Sequence, residues 1–379
     1  VAETVLGGTF GGVSDSIPQP QSGASSPAAS PADPAGRIPL SVLELAPVGE
    51  GQTSAEALNA AAALAQRAEE LGYRRFWVAE HHNMPGVAST SPGVFLGHVA
   101  ARTRSIRVGS GGVMLPNHPP LVVAEQFAML EALSPGRIDL GIGRAPGTDP
   151  ATAAALRRSK EGLGAEDFPQ ELADLLDLLG IEEGGGRLAL RRMSATPVAA
   201  SAPDVWLLGS SGYSAQVAGM LGLPFAFAHH FSAANTLPAM ELYRSTFRPS
   251  ARLAEPYAMV TQSVYVADTA EEAEAIARPA RLAQVSLYTG RPRRTPTPEE
   301  AAAHEWTDAE LRIIEQGPSR PTIGDPKSVL AELTDLVSAT GANELMVTTM
   351  THGLPERLHS FELLAQAWPA GSEAGSSAG

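Results

Sequence analysis
Between residues 37 and 368, short runs of β-branched and aromatic residues alternate with longer stretches rich in Ala and Leu. The runs at 39–45, 75–79, 106–113, 138–142, 205–208, 225–228, 257–266 and 344–349 are predicted as strands, because each is compact, mostly apolar and bounded by turn-forming residues. Helices are expected between them. Residues 54–71 follow Thr53 and Ser54, either of which can cap the amino end, and stop at Gly72. Residues 119–133 stop at Ser134-Pro135-Gly136, and a shorter helix is expected over 214–221. Strand-helix alternation is the mark of βαβ units and a parallel sheet, and eight strands favour a (β/α)8 TIM barrel over an open doubly wound sheet. Two stretches, 148–204 and 289–321, exceed ordinary loop length and are read as long insertions, the second as a lid or irregular loop.

Residues 1–36 are of different material, dominated by Gly, Ser, Ala and Pro without a basic n-region or a continuous apolar segment. They are read as a flexible leader, 37–368 as one folded domain and 369–379 as a flexible tail. The chain has 27 Lys and Arg against 41 Asp and Glu, a formal net charge of -14, which argues against a phosphate backbone as partner. It has no cysteine, so disulfides, thiolate metal sites and cysteine nucleophiles are excluded. No apolar run approaches the roughly 20 residues that span a bilayer, and a cytoplasmic location is expected.

Chemistry-bearing residues gather at the predicted strand ends, where parallel-sheet proteins place their ligand sites. Glu80-His81-His82 ends the second strand, His118 follows the third, His229-His230 the sixth and His352 the eighth. The triplet alone would serve equally as a capping acid with one core and one surface histidine. A metal site is disfavoured, because neighbours on extended backbone point to opposite sides and the chain lacks His-x-His and His-Glu-x-x-His. Gly109, Gly111 and Gly112 in the third strand, and Gly141 and Gly143 in the fourth, mark bends or places where a ligand approaches the backbone. Arg144, at the end of the fourth strand, can grip a phosphate bidentately. Gly209, Ser210, Ser211 and Tyr213 lie where the fifth strand gives way to a helix, and their amides and hydroxyls can complete an anion site.

Glu80-His81-His82, the run 108–116, Glu125-Gln126 and the run 136–144 occur in an order and spacing that resembles the bacterial luciferase-like monooxygenases, flavin enzymes built on a (β/α)8 barrel. The resemblance extends over about 38–368. It implies reduced FMN at the barrel mouth, with the phosphate on Arg144 and the 210–214 turn, and a non-proline cis peptide at Gly111-Gly112 beneath the ring. It also implies O2 as co-substrate, a separate flavin reductase as transient partner, and a homodimer formed through helices near 91–102 and 119–133. His81 matches the family's proton-transfer histidine, and Glu80 and His82 stand beside it as orienting or core groups. The chain departs from the light-emitting enzyme at Gly143, where that enzyme has a reactive cysteine, and at Asn83, where it has an aromatic residue. A long-chain aldehyde substrate is therefore disfavoured. The expected activity is oxygenation of a small organic molecule, for example a polyketide tailoring step in antibiotic biosynthesis. The alternatives are an F420-dependent hydride-transfer oxidoreductase of the same fold and a non-catalytic flavin-binding subunit.

Overall fold
The computed structural model describes residues 38–156, 167–181, 186–188, 193–317 and 319–368. The expected leader and tail lie outside the described residues. The strands are β1 (Leu40–Glu44), β2 (Arg75–Val78), β3 (Arg107–Met114), β4 (Ile138–Gly143), β5 (Asp204–Gly209), β6 (Phe225–Phe227), β7 (Ala258–Val266), β8 (Thr322–Gly324) and β9 (Glu344–Thr348). All ladders are parallel. β1 to β7 pair in sequence order, β7 pairs with β9 and β9 with β1, which closes an eight-stranded (β/α)8 barrel. The eight predicted strands are the barrel staves. β8 was not expected; it pairs Thr322 to Gly324 with Val264 to Val266, the carboxyl-terminal half of β7 beyond the β9 ladder.

The helices are α1 (Ser54–Glu70), α2 (Pro92–Ala100), α3 (Pro120–Leu133), α4 (Pro150–Leu156), α5 (Phe168–Leu178) and α6 (Gly212–Leu221), followed by α7 (Thr236–Thr246), α8 (Ala270–Tyr288), α9 (Pro298–Ala303), α10 (Asp308–Glu315), α11 (Pro326–Thr340) and α12 (Leu354–Ala367). Thr53 caps α1 through a reciprocal box with Glu56, and Gly72 takes a left-handed turn at φ 80° after it. The segment 289–321, expected as an irregular loop or lid, instead holds α9 and α10, each capped by a threonine. The segment 148–204 likewise holds α4 and α5.

Two apolar layers follow from strand alternation. The larger lies between sheet and helices and includes Phe76, Val78, Phe127 and Phe361. The smaller, Leu43, Trp77, Ala79, Trp206, Ala226, Met259 and Met346, fills the barrel interior. Beneath it, the amino-terminal ends of the strands carry a buried ion network. Arg75 lies 2.9 Å from both Asp139 and Glu344, and Arg107 lies 2.6 Å from Asp139 and Asp204. Trp77 Nε1 and Tyr257 Oη donate to Asp139 and Glu344 at 2.9 Å, and Ser41 Oγ donates to Glu344 as well. This floor closes one end of the barrel and leaves the carboxyl-terminal mouth as the accessible end.

Candidate active site
Alternation along β2 sets the geometry of the histidine triplet. Trp77 and Ala79 face the barrel interior, so His81 continues on the inward side while Glu80 turns outward. Glu80 is fully buried and collects four donors: His82 Nε2 and His118 Nε2 at 2.9 Å, Asn117 Nδ2 at 3.0 Å and the Met114 amide at 3.1 Å. Burial alone would raise its pKa. The hydrogen bonds from His118, His82 and Asn117 and the charge of His118 outweigh it and hold the carboxyl below its ordinary value. Glu80 is therefore an ionised hub that ties the β2 and β3 loops together. Burial pushes the His81 pKa down, against the pull of the Glu80 charge, so the ring is neutral near pH 7. Its Nδ1 is buried and has no hydrogen-bond partner among the described residues.

The inward positions of β3 and β4 beyond the floor are glycines. A Cβ on Gly111 would come within 2.7 Å of Leu43 Cδ1 and 3.2 Å of Trp77 Cβ. On Gly112 it would meet the Gly141 carbonyl at 2.7 Å, and on Gly143 the Met114 Sδ at 2.6 Å. Gly111-Gly112 is a cis peptide and coincides with a register shift in the β3–β4 ladder. The glycines thus relieve crowding, because neighbouring strands and the Leu43, Trp77 and Met114 side chains already occupy the space that a Cβ would need.

Arg144 leaves the end of β4 and lays its guanidinium over the Tyr213 ring, 4.2 Å from the centroid. Tyr213 lies in the first turn of α6, because that helix starts at Gly212 rather than at the expected Ser214. Ser211 is its N-cap residue, and the Ser211 side chain makes no capping hydrogen bond. Ser210 and Ser211 are exposed and Gly209 closes β5, so hydroxyls, helix amides and a stacked arginine sit on adjacent strand ends.

The remaining strand-end histidines divide. His118 joins Glu80. His230 lines a cavity of about 670 Å³ at the mouth, which also touches Leu45, Ser263, Thr348 and Met350 at the ends of β1, β7 and β9. His229 bonds Thr236 Oγ1 at 2.8 Å, and His352 donates to the Glu50 carbonyl at 3.0 Å, both as structural ties. The sequence reading placed His118 and His230 near strand ends without giving them partners. Asn117 it did not single out at all. The cavity lining does not include His81, Gly111, Gly112 or Arg144, which places it on the β1, β7 and β9 side of the mouth.

A family model described as luciferase-like monooxygenase matches residues 38–344. The chain is 49% identical to YvbT of Bacillus subtilis, an uncharacterised protein, across 87% of this chain and 96% of that one. It is 44% identical to the luciferase-like monooxygenase of Escherichia coli K12, across 86% and 96% of the two chains. A Bacillus subtilis N-acetyl-S-alkylcysteine monooxygenase is 35% identical across 87% and 98%. Among solved structures, apo-MsnO8 superposes with a TM-score of 0.81 at 38% identity, covering 88% of this chain and 99% of that one. The oxygenating constituent of 3,6-diketocamphane monooxygenase from Pseudomonas putida, solved with FMN, shares the fold at TM-score 0.65 and 18% identity, across 87% and 98%. An F420-dependent secondary alcohol dehydrogenase shares it at TM-score 0.61 and 15% identity, across 88% and 99%.

Proposed function
The chain belongs to the luciferase-like monooxygenase family, and on that footing we propose that it uses reduced FMN and O2 to oxygenate a small organic substrate. The observation that carries the reading is the gathering, at neighbouring strand ends, of inward-facing His81 beside the Glu80 hub and of Arg144 laid over Tyr213 at the start of α6. The relative solved with FMN and the relative named as an N-acetyl-S-alkylcysteine monooxygenase support the choice of cofactor and substrate size.

Reduced FMN, when bound, supplies the two electrons with which one atom of O2 enters the substrate and the other leaves as water. The chain's own residues do the rest. Arg144, held flat by Tyr213, offers its N–H groups to the phosphate, joined by Gly209, Ser210, Ser211 and the first amides of α6. His81, neutral at pH 7, accepts or returns a proton at the mouth. Glu80 and His82 stand behind it and fix the backbone from which it projects. The sealed floor and the packed Trp77 and Trp206 exclude water from below. The family likeness implies a separate reductase that delivers the reduced flavin. Val94 on α2 and Val122, Met129 and Leu133 on α3 are exposed apolar side chains, and they support a homodimer through these two helices.

The test is anaerobic mixing of the protein with reduced FMN, followed by oxygenated buffer in a stopped-flow instrument. The protein is expected to bind the flavin and change its rate of reoxidation. Reoxidation at the rate of free flavin, or oxygen-independent hydride transfer from reduced F420 instead, overturns the reading.

A further inference from the structure
The mouth cavity contains a directional polar group that the fold leaves unused. His230 sits in the short 3-10 turn His229–Phe231 after β6, and its Nδ1 lies 3.2 Å from the Thr261 carbonyl on β7. A carbonyl can only accept, so Nδ1 carries the ring proton and Nε2 is left with its lone pair. The ring packs against Phe231, centroids 4.3 Å apart, which fixes its plane. Among the described residues, no donor reaches Nε2, although the ring lines a cavity of about 670 Å³. Burial lowers the His230 pKa to about 4, so the ring keeps its lone pair at neutral pH.

The surroundings define what can occupy the space. Next to His230 the inner wall presents Ser263 and Thr348, side by side in the β7–β9 register, and both are uncharged. Leu45 and Met350 supply apolar surface. Two of the cations on the outer wall are already matched: Arg281 lies 3.0 Å from Glu274, and Arg293 lies 2.8 Å from Glu300. The lining as a whole carries Glu274, Glu315 and Glu332 against Arg281, Arg293 and Arg320, so it has no excess of either sign, and His230 Nε2 is a fixed acceptor in it, whereas the Ser263 and Thr348 hydroxyls can turn to donate or accept.

Within the monooxygenase reading, we propose that this cavity receives an uncharged, largely apolar substrate bearing one hydroxyl or amide N–H, and that His230 Nε2 accepts that hydrogen. A molecule without a donor leaves Nε2 desolvated and unpaired, and a carboxylate sets its own lone pairs against it. His230 is thus a specificity residue of this cavity.

The experiment measures binding of octan-1-ol, octyl methyl ether and octanoate to the full, flavin-free protein by isothermal titration calorimetry. Failure to bind or oxidise FMN would refute the proposed function while leaving this measurement intact. The wild type is expected to bind the alcohol about 3- to 10-fold more tightly than the ether, the range of one neutral hydrogen bond. His230→Phe should bring the alcohol down to the level of the ether and leave the ether unchanged. His230→Gln, which keeps an acceptor near Nε2, should restore the preference. Equal affinities in the wild type, octanoate as the tightest ligand, no binding of alcohol or ether, or equal losses for both in His230→Phe would each overturn the proposal.

Discussion

Replacing Glu80 with alanine removes one carboxylate and leaves four donors without their acceptor. Two are histidine N–H groups bonded to a charge, at about 1.5–3 kcal/mol each, and two are amide donors at about 1 kcal/mol each, so the gross loss is about 5–8 kcal/mol. Two effects reduce it. His82 and His118 retain 16% and 32% of their side-chain exposure and can bond water instead. The desolvation cost of the buried carboxylate also disappears with it. The expected net destabilisation is about 3–4 kcal/mol, read from urea unfolding followed by tryptophan fluorescence at pH 7. Glu80→Gln keeps the volume and one acceptor and should cost less, about 2 kcal/mol. Because the folded-state pKa lies below the ordinary value, the carboxylate's contribution is complete above that value and is lost as pH falls through the lower one. The gap between wild type and Glu80→Gln should therefore narrow as the pH falls below the ordinary carboxyl value of 4.5. A loss below about 1 kcal/mol for Glu80→Ala, or a gap that widens on acidification, would refute the hub assignment.

Arg144→Ala should weaken FMN binding by roughly 2–4 kcal/mol while riboflavin, lacking the phosphate, loses far less; fluorescence titration of both flavins checks it, and equal losses remove the phosphate role. Gly141→Ala drives a methyl group into the Ser110 carbonyl and to 2.8 Å from Leu208 Cδ1, so a loss of about 2–3 kcal/mol is expected in thermal or urea unfolding. Glu69 accepts amides from Arg104, Ser105 and Ile106 at 2.5–2.9 Å; these bonds overcome the upward push of burial and lower its pKa to about 2. Its contribution is full above the ordinary 4.5 and is lost as pH falls toward 2, so Glu69→Gln should cost about 1 kcal/mol at pH 7 after discounting for exposure, and less near pH 3 in the same unfolding assay.

The staves were legible because each is a β-rich run between turn residues, and the order of the strands around the barrel then follows from right-handed βαβ connections. β8 was not, since three residues flanked by Pro321 and Pro326 carry no period and read as a break. The triplet and Arg144 stood out because charge at a strand's carboxyl end is unusual in a buried sheet. The partners of Glu80 did not: Asn117 and His118 lie 37 and 38 residues further on, and nothing local marks them as its donors. The ion network at the floor was hidden for a related reason. Arg75, Asp139, Asp204 and Glu344 open or nearly open their strands, where a charge normally marks a solvated end, and only barrel closure brings them face to face.

That closure also bears on how an acidic chain would hold the anionic cofactor proposed for it. The floor pairs Arg75 and Arg107 with Asp139, Asp204 and Glu344, and Arg74 lies a further 3.7 Å from Glu344, so three cations meet three anions there. Little net field from this end reaches the mouth. At the mouth, Glu80 spends its charge on His82 and His118, while burial keeps His81 and His230 neutral. Arg144, on the proposed phosphate side, is stacked on Tyr213. The net charge of -14 is carried largely by solvated side chains, whose influence fades within about 8 Å at physiological ionic strength. A phosphate held at the end of β4, as proposed, would therefore meet the local field of one arginine and a helix amino end rather than the average of the whole molecule.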